Sequence, residues 1–152
     1  MSDSPQQDPS SPARTATDGV PAFDDATTTA PFPLQSFLGM QLSGTAPGSG
    51  TAQLTLGAAH ANPNGVAHGA VLFALVDTAM GKATMSVIDD GLYCASVELS
   101  LRFIRPAAEG QLTAEATVVK RGRSIVHLDA RVHDGDDRLI ATSSGTFAIL
   151  GG

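Results

Sequence analysis

Cysteine occurs once in the 152 residues, at Cys94, and a lone thiol excludes an intrachain disulfide and any cysteine-built metal site. Long apolar runs are missing as well. The longest, Val71 to Val76, falls far short of the roughly 20 residues of a membrane helix and is followed at once by Asp77. The first thirty residues hold no apolar stretch fit for a signal-peptide core and are too acidic for a transit peptide, so a cytoplasmic location is expected, with no membrane partner. Basic residues are scarce, 9 Lys and Arg against 15 Asp and Glu, and the net charge of −6 disfavours a general nucleic-acid binder.

The charge is unevenly placed. Asp3, Asp8, Asp18, Asp24 and Asp25 stand against the single base Arg14 within residues 1–30, so −4 belongs there and −2 to the remainder. Apart from Met1, only Val20 and Phe23 are sizeable apolar groups in that stretch. Such a segment buries too little apolar surface to offset its ordering entropy, and residues 1–30 are expected to form a disordered acidic tail. Residues 31–152 then make one domain of ordinary single-core size.

Within that domain Pro33–Met40 suits a short helix, with Pro33 in its first turn. A strand near Gln41–Thr45, a turn at Ala46-Pro47-Gly48-Ser49-Gly50 and a strand at Thr51–Leu56 follow. After a loop from His60 to His68 comes a long helix, Gly69 to Ile88, apolar around most of its circumference and therefore expected at the centre of a domain or an interface. Four strands complete the chain: Tyr93–Ile104, Leu112–Lys120, Ser124–His133 and Leu139–Leu150, the last two joined by an Asp-Gly hairpin turn. In Tyr93–Ile104 the alternation places Val97, Leu99, Leu101 and Phe103 on one face and Ser96, Glu98, Ser100 and Arg102 on the other. One apolar helix and about six antiparallel strands give an α+β fold with the sheet curling round the helix.

The segment from His60 to Asp77 carries the chemistry. A polar loop delivers His68 and Gly69 to the start of a buried helix, where free N–H groups and the positive end of the helix dipole can stabilise an oxyanion. Asp77 is a carboxylate in an apolar helix, costly to bury unless it faces a cavity or finds partners. Ionised, it can attack a carbonyl or deprotonate a water that does so. Gly69 and Asp77 are eight residues apart, about 12 Å along one helix, whereas a reacting carbonyl must lie about 3 Å from both donor and nucleophile. Two chains with antiparallel central helices satisfy both distances, and an obligate dimer with sites at its interface is expected. His60 and His68 lack an acidic or cysteine cluster, so no metal is expected.

These residues resemble the hotdog-fold acyl-CoA thioesterases of the phenylacetic-acid-degradation type, within the 4-hydroxybenzoyl-CoA thioesterase superfamily. The pattern H-x-N-x-x-G-x-x-H-G-G, with an acid eight residues after its first paired glycine, is met at His60, Asn62, Gly65, His68, Gly69 and Asp77. The likeness runs from about Pro33 to Ile149. Ala70 departs from it, standing where the family has the second glycine. The resemblance implies a hotdog fold and hydrolysis of an acyl-CoA thioester without cofactor. It further implies a carbonyl polarised by the Gly69 N–H with help from His68, positioning of water or thioester by Asn62, and Asp77 as nucleophile or base. Ser96 matches a Ser or Thr that assists the acid, and Arg121, Gly122, Arg123 and Ser124 resemble a turn beside the CoA phosphates, where arginine's planar fork is apt. A tetramer of two hotdog dimers and an aryl or arylacetyl group are further implications.

Structural readings compete with these roles: Asn62 as a loop cap, Asp77 as a dimer-specificity device, Arg121 and Arg123 as solvated turn residues. Two other functions fit less well. A dehydratase or hydratase of the same fold would carry a histidine in a different motif, and a non-catalytic acyl-CoA-binding protein would have no need of Asp77.

Overall fold

The computed structural model describes residues 31–44 and 46–151. The tail expected over 1–30 lies outside the described residues. Helix α1 spans Pro33–Leu38, with proline in its first turn, and ends at Gly39, whose φ of 66° is left-handed. That conformation, easy for glycine, turns the Gly39 and Met40 N–H groups back onto the Ser36 and Gln35 carbonyls and stops the helix short of the expected Met40.

The strands are β1 (Gln41–Ser43), β2 (Ser49–Thr55), β3 (Tyr93–Phe103), β4 (Gln111–Arg121), β5 (Ile125–Asp134) and β6 (Leu139–Leu150). They form one sheet in the order β1-β2-β4-β5-β6-β3, each neighbour antiparallel. Helix α2, Gly69–Met85, lies across one face and touches β2, β3, β4, β5 and β6. This is the sheet curled round one apolar helix that the element pattern predicts, and the hotdog arrangement that the resemblance implies. No helix among the described residues is long and apolar enough to cross a membrane.

Helix α2 ends three residues before the expected Ile88. The Ser86 hydroxyl donates to the Ala83 carbonyl at 2.6 Å and accepts the Gly48 N–H at 2.8 Å, tying the helix end to the turn before β2. The Asp-Gly hairpin also differs in detail. Asp134 and Arg138 close a three-residue loop in which Asp137, not Gly135, takes the positive φ of 61°. Two backbone N–H groups, of Asp136 and Arg138, donate to the Asp134 carboxylate and stabilise this loop.

The core lies between α2 and the sheet: Leu72, Leu75, Val76 and Met80 from the helix meet Leu54, Leu112, Val126, Leu128 and Phe147. Small residues set the spacing. Ala52 pairs with Ala114 and Gly50 with Ala116, beneath Ala79 and Ala83 of the helix. A methyl group on Gly50 would collide with the Ala79 carbonyl oxygen and stand 2.6 Å from the Ala83 nitrogen. Backbone atoms of a packed helix cannot step aside as a side-chain tip can.

The opposite face of α2 is uncovered. Phe73 is 43% exposed and Met85 36%, so of the two expected places for this helix, the centre of a domain or an interface, a single protomer covers one side only. Strand β3 is similarly bare, an 11-residue edge strand with Tyr93, Val97 and Phe103 all more than half exposed.

Gly50→Ala is expected to cost about 3 kcal/mol or more, at the upper end for overpacking, because the clash is with backbone. Gly57→Ala, with nothing within 4 Å of the new methyl, is the matched control. Chemical denaturation of both variants checks this; equal midpoints would contradict the close approach of α2 to β2.

Candidate active site

The loop before α2 is built from its own side chains. His60 accepts the Gly57 N–H at Nδ1 (3.0 Å), and its Nε2 reaches the Leu38 carbonyl at 3.1 Å, joining the loop to α1. His60 is thus a structural residue. The Asn62 side-chain oxygen accepts N–H groups from Asn64 (2.9 Å) and Val66 (3.3 Å). Its oxygen is committed to the turn, leaving the amide NH2 as the group able to meet a ligand.

His68 caps α2. Its Nδ1 accepts the Ala70 N–H at 3.0 Å, which fixes the ring proton on Nε2 and presents that nitrogen outward as a donor. Among the described residues the Gly69 N–H has no protein acceptor. The first amide of a 17-residue helix therefore stands free at the positive end of its dipole. Glycine here is not needed for a left-handed turn. A methyl on Gly69 would meet the tip of the Phe103 ring, 3.0 Å from Cζ.

Asp77 lies two turns further along, on the uncovered side of α2. Its Oδ1 is buried and has no hydrogen-bond partner among the described residues. Burial pushes the carboxyl above the usual carboxylate range, and the neighbouring Ser96 side chain opposes that rise. A partly buried carboxylate with one oxygen unanswered has been desolvated without being neutralised.

Ser96 reaches Asp77 through a β-bulge that the alternation of β3 does not reveal. Ser96 pairs with Phe147, but Glu98 pairs with Thr146, so Val97 is an extra residue in the strand. One inserted residue reverses the parity of everything beyond it. Cys94 and Ser96 before the bulge, and Leu99, Leu101 and Phe103 after it, all face the helix. This corrects the expectation that Ser96 shares a face with Glu98, Ser100 and Arg102, and that Val97 lies with Leu99: Val97 is 63% exposed.

Cys94 is a neighbour that the sequence pattern did not single out. Its Sγ lies 3.9 Å from the Gly81 carbonyl oxygen, and its pKa is pushed up to about 11, first by burial and then by the negative charge of Asp77. The thiol therefore remains protonated at neutral pH. Its parity with Ser96 along β3 was the available signal.

Arg121, Gly122, Arg123 and Ser124 form the tight turn between β4 and β5, closed by the Gly122 N–H on the Ile125 carbonyl at 2.7 Å. Arg121 makes an exposed ion pair with Asp89 at 3.3 Å, of a kind worth at most about 1 kcal/mol. Asp89 follows the C-terminal end of α2, so this turn and Gly69 belong to opposite ends of the helix. Within one protomer the structure brings Asp77 and Ser96 together, and His68 beside Gly69, but keeps the two pairs apart. A cavity of about 320 Å³ lies between α1 and β2 beside His60, away from Asp77.

A sheet curled round one helix, with a carboxylate on the uncovered side of that helix, places the protein in the hotdog class. Within it the chain belongs to the thioesterase superfamily, whose sequence model matches residues 64–141, just over half of the chain. Among solved structures it is similar to the conserved protein PA5202 of Pseudomonas aeruginosa, at 31% identity and a TM-score of 0.75 over 78% of this chain and 94% of that one. It is also similar to the E. coli PaaI protein of the phenylacetic acid degradation operon, at 28% identity and a TM-score of 0.73 over 78% of this chain and 85% of that one. A Saccharolobus solfataricus protein provisionally named as an esterase, SSO1253, is 34% identical over 87 residues. That match spans 56% of each chain, so this chain covers little more than half the length of that relative.

Two outcomes follow from the Asp77 environment. Ser96→Ala is expected to raise the Asp77 pKa further, because it removes the hydroxyl that favours the charged form; carbon-13 NMR titration of the carboxyl measures it. Asp77→Asn is expected to raise the melting temperature at pH 7. A carboxyl whose folded pKa is raised lends stability that is full below the unfolded value of about 3.9 and is lost as pH rises through the folded value. The variant's advantage should therefore vanish in melts at pH 3.5.

Proposed function

We propose that this protein hydrolyses an acyl-CoA thioester, with Asp77 of one protomer and the Gly69 N–H of its partner acting on the same carbonyl. The observation that carries the reading is the half-satisfied Asp77 carboxylate, desolvated at Oδ1 and facing an open helix face. The superfamily and the resemblance to PaaI support the same chemistry.

In this reading the bare faces of α2 and β3 meet those of a second copy, the helices antiparallel. Gly69 of the partner then comes opposite Asp77, closing a gap of about 12 Å that one helix cannot close. The Gly69 N–H, with His68 Nε2 beside it, polarises the thioester oxygen, and the Asn62 NH2 orients water or the thioester. Asp77 either attacks the carbonyl carbon, giving an anhydride that water opens, or takes a proton from the attacking water. In both routes the tetrahedral oxyanion is held by the amide and collapses with cleavage of the C–S bond. In the base route the thiolate takes up the proton that Asp77 accepted from water; in the anhydride route it leaves as the anhydride forms, and water then opens the anhydride, regenerating the Asp77 carboxylate and supplying the proton as the acid departs. Ser96 orients Asp77. The arginine turn at Arg121–Ser124 meets the CoA phosphates, exchanging its weak pair with Asp89 for a charge-assisted one.

The finer assignments of an aryl or arylacetyl acyl group and of a tetramer built from two such dimers rest on the resemblance, whereas a cytoplasmic site of action suits a chain with a single thiol. Residues 31–152 act as one domain, with the acidic segment 1–30 outside the catalytic unit.

Release of free thiol from a panel of aryl and aliphatic acyl-CoAs tests the reaction. Wild type should turn over at least one member and Asp77→Ala should lose at least a hundredfold in kcat, with its oligomer intact by light scattering. An equally active Asp77→Ala would sink the site. Mixed oligomers test the shared geometry. Refolding Asp77→Ala with Gly69→Ala chains should regain activity, because one interface then combines an intact Gly69 with an intact Asp77. Sites contained within single protomers would stay silent.

A further inference from the structure

Phe103 is the last residue of β3, and the bulge at Val97 turns it to the helix side, opposite the buried Ala141. Its ring tip fills the space that a side chain on Gly69 would occupy, with Cζ, Cε1 and Cε2 at 3.0, 3.6 and 3.7 Å from an added methyl carbon. Yet the residue is 57% exposed, so the ring touches the helix start with its tip while much of its surface stays open. Phe73, one turn beyond Gly69 on the same side of α2, is 43% exposed. Together they give the free amide an apolar aromatic border on the face where Asp77 also lies.

We propose that Phe103 is a specificity-determining residue whose ring limits the bulk of the acyl group directly beside the thioester carbonyl. The inference rests on the thioesterase reading. A carbonyl oxygen seated on the Gly69 N–H brings its carbon within van der Waals reach of a ring packed against the Gly69 Cα. The carbon's two other substituents are the sulfur and the acyl α-carbon. An open phenyl surface suits the apolar acyl side better than the pantetheine arm with its amides. A methylene at the α-position slips past the ring edge, whereas a branched or ring-bearing α-carbon meets it. The Phe103 wall and the Gly69 donor form a unit, since the ring also excludes any side chain from Gly69.

The test uses CoA thioethers in which a methylene separates sulfur from the acyl carbonyl, so that binding is measured without turnover. Calorimetry compares a straight-chain acyl with its α-branched isomer, and phenylacetyl with benzoyl, on wild type and Phe103→Ala. Wild type is expected to favour the unbranched member of each pair, and the ratio of dissociation constants should fall by roughly tenfold in Phe103→Ala, the discrimination typical of an apolar pocket wall. Where Phe103→Ala disturbs the oligomer, Phe103→Leu withdraws the ring while keeping an apolar group and reads the same ratio. The ratio of kcat/KM values should move in parallel, and Gly69→Ala should depress binding less in the Phe103→Leu background than alone. An unchanged ratio with wild-type binding intact overturns the role of Phe103 and leaves the thioesterase reading standing. Failure of wild type to bind any of the analogues overturns both.

Discussion

Between Ala79 and Ala83 the backbone of α2 passes so near Gly50 that one methyl group there would displace it. That close approach organises the molecule. It needs glycine and alanine on the sheet (Gly50, Ala52, Ala114, Ala116) and alanine on the helix, and it commits the Leu75, Val76 and Met80 side of α2 to the core. Once one face is clamped, the other is fixed by helical periodicity, and Gly69, Phe73 and Asp77 have to look outward. A buried helix face thus determines where a functional one lies.

The outward face is chemically incomplete in a single chain. Asp77 has lost part of its hydration and gained only Ser96, while the free amide of Gly69 stands two turns away. Edge strand β3 runs beside this face with Tyr93, Val97 and Phe103 exposed along its length. Apolar surface, an unpaired strand edge and an unanswered carboxylate oxygen call for the same remedy, a second copy. In the proposed dimer one contact buries the apolar surface and assembles the reacting groups, so stability and activity become properties of the same interface.

Much of this was legible in the residues. The long apolar stretch of α2, the period-two alternation at Ala52, Leu54 and Leu56, and the polar loop before Gly69 all report local rules that one residue and its near neighbours satisfy. The alternation of β3 misled at Val97 because a bulge has no side-chain signature there. Its evidence is the register against β6, a property of two strands. The end of α2 shifted for a similar reason, through the Ser86 hydroxyl and the Gly48 N–H, partners 38 residues apart. At the β5–β6 turn Gly135 was the natural choice for positive φ, yet the closing bonds of Asp134 gave that place to Asp137.

By itself the sequence determined the fold class, the helix that carries the acid, and the chemical character of the His60–Asp77 segment, because periodicity and motif spacing are encoded within a few turns of chain. Only the tertiary structure decided that Ser96 faces Asp77, that Cys94 feels its charge, that the Asn62 oxygen is spent on its own loop, and that Phe103 covers Gly69. Each of these joins residues far apart in sequence, and its geometry is set by strand register and helix–sheet spacing, which no local pattern contains.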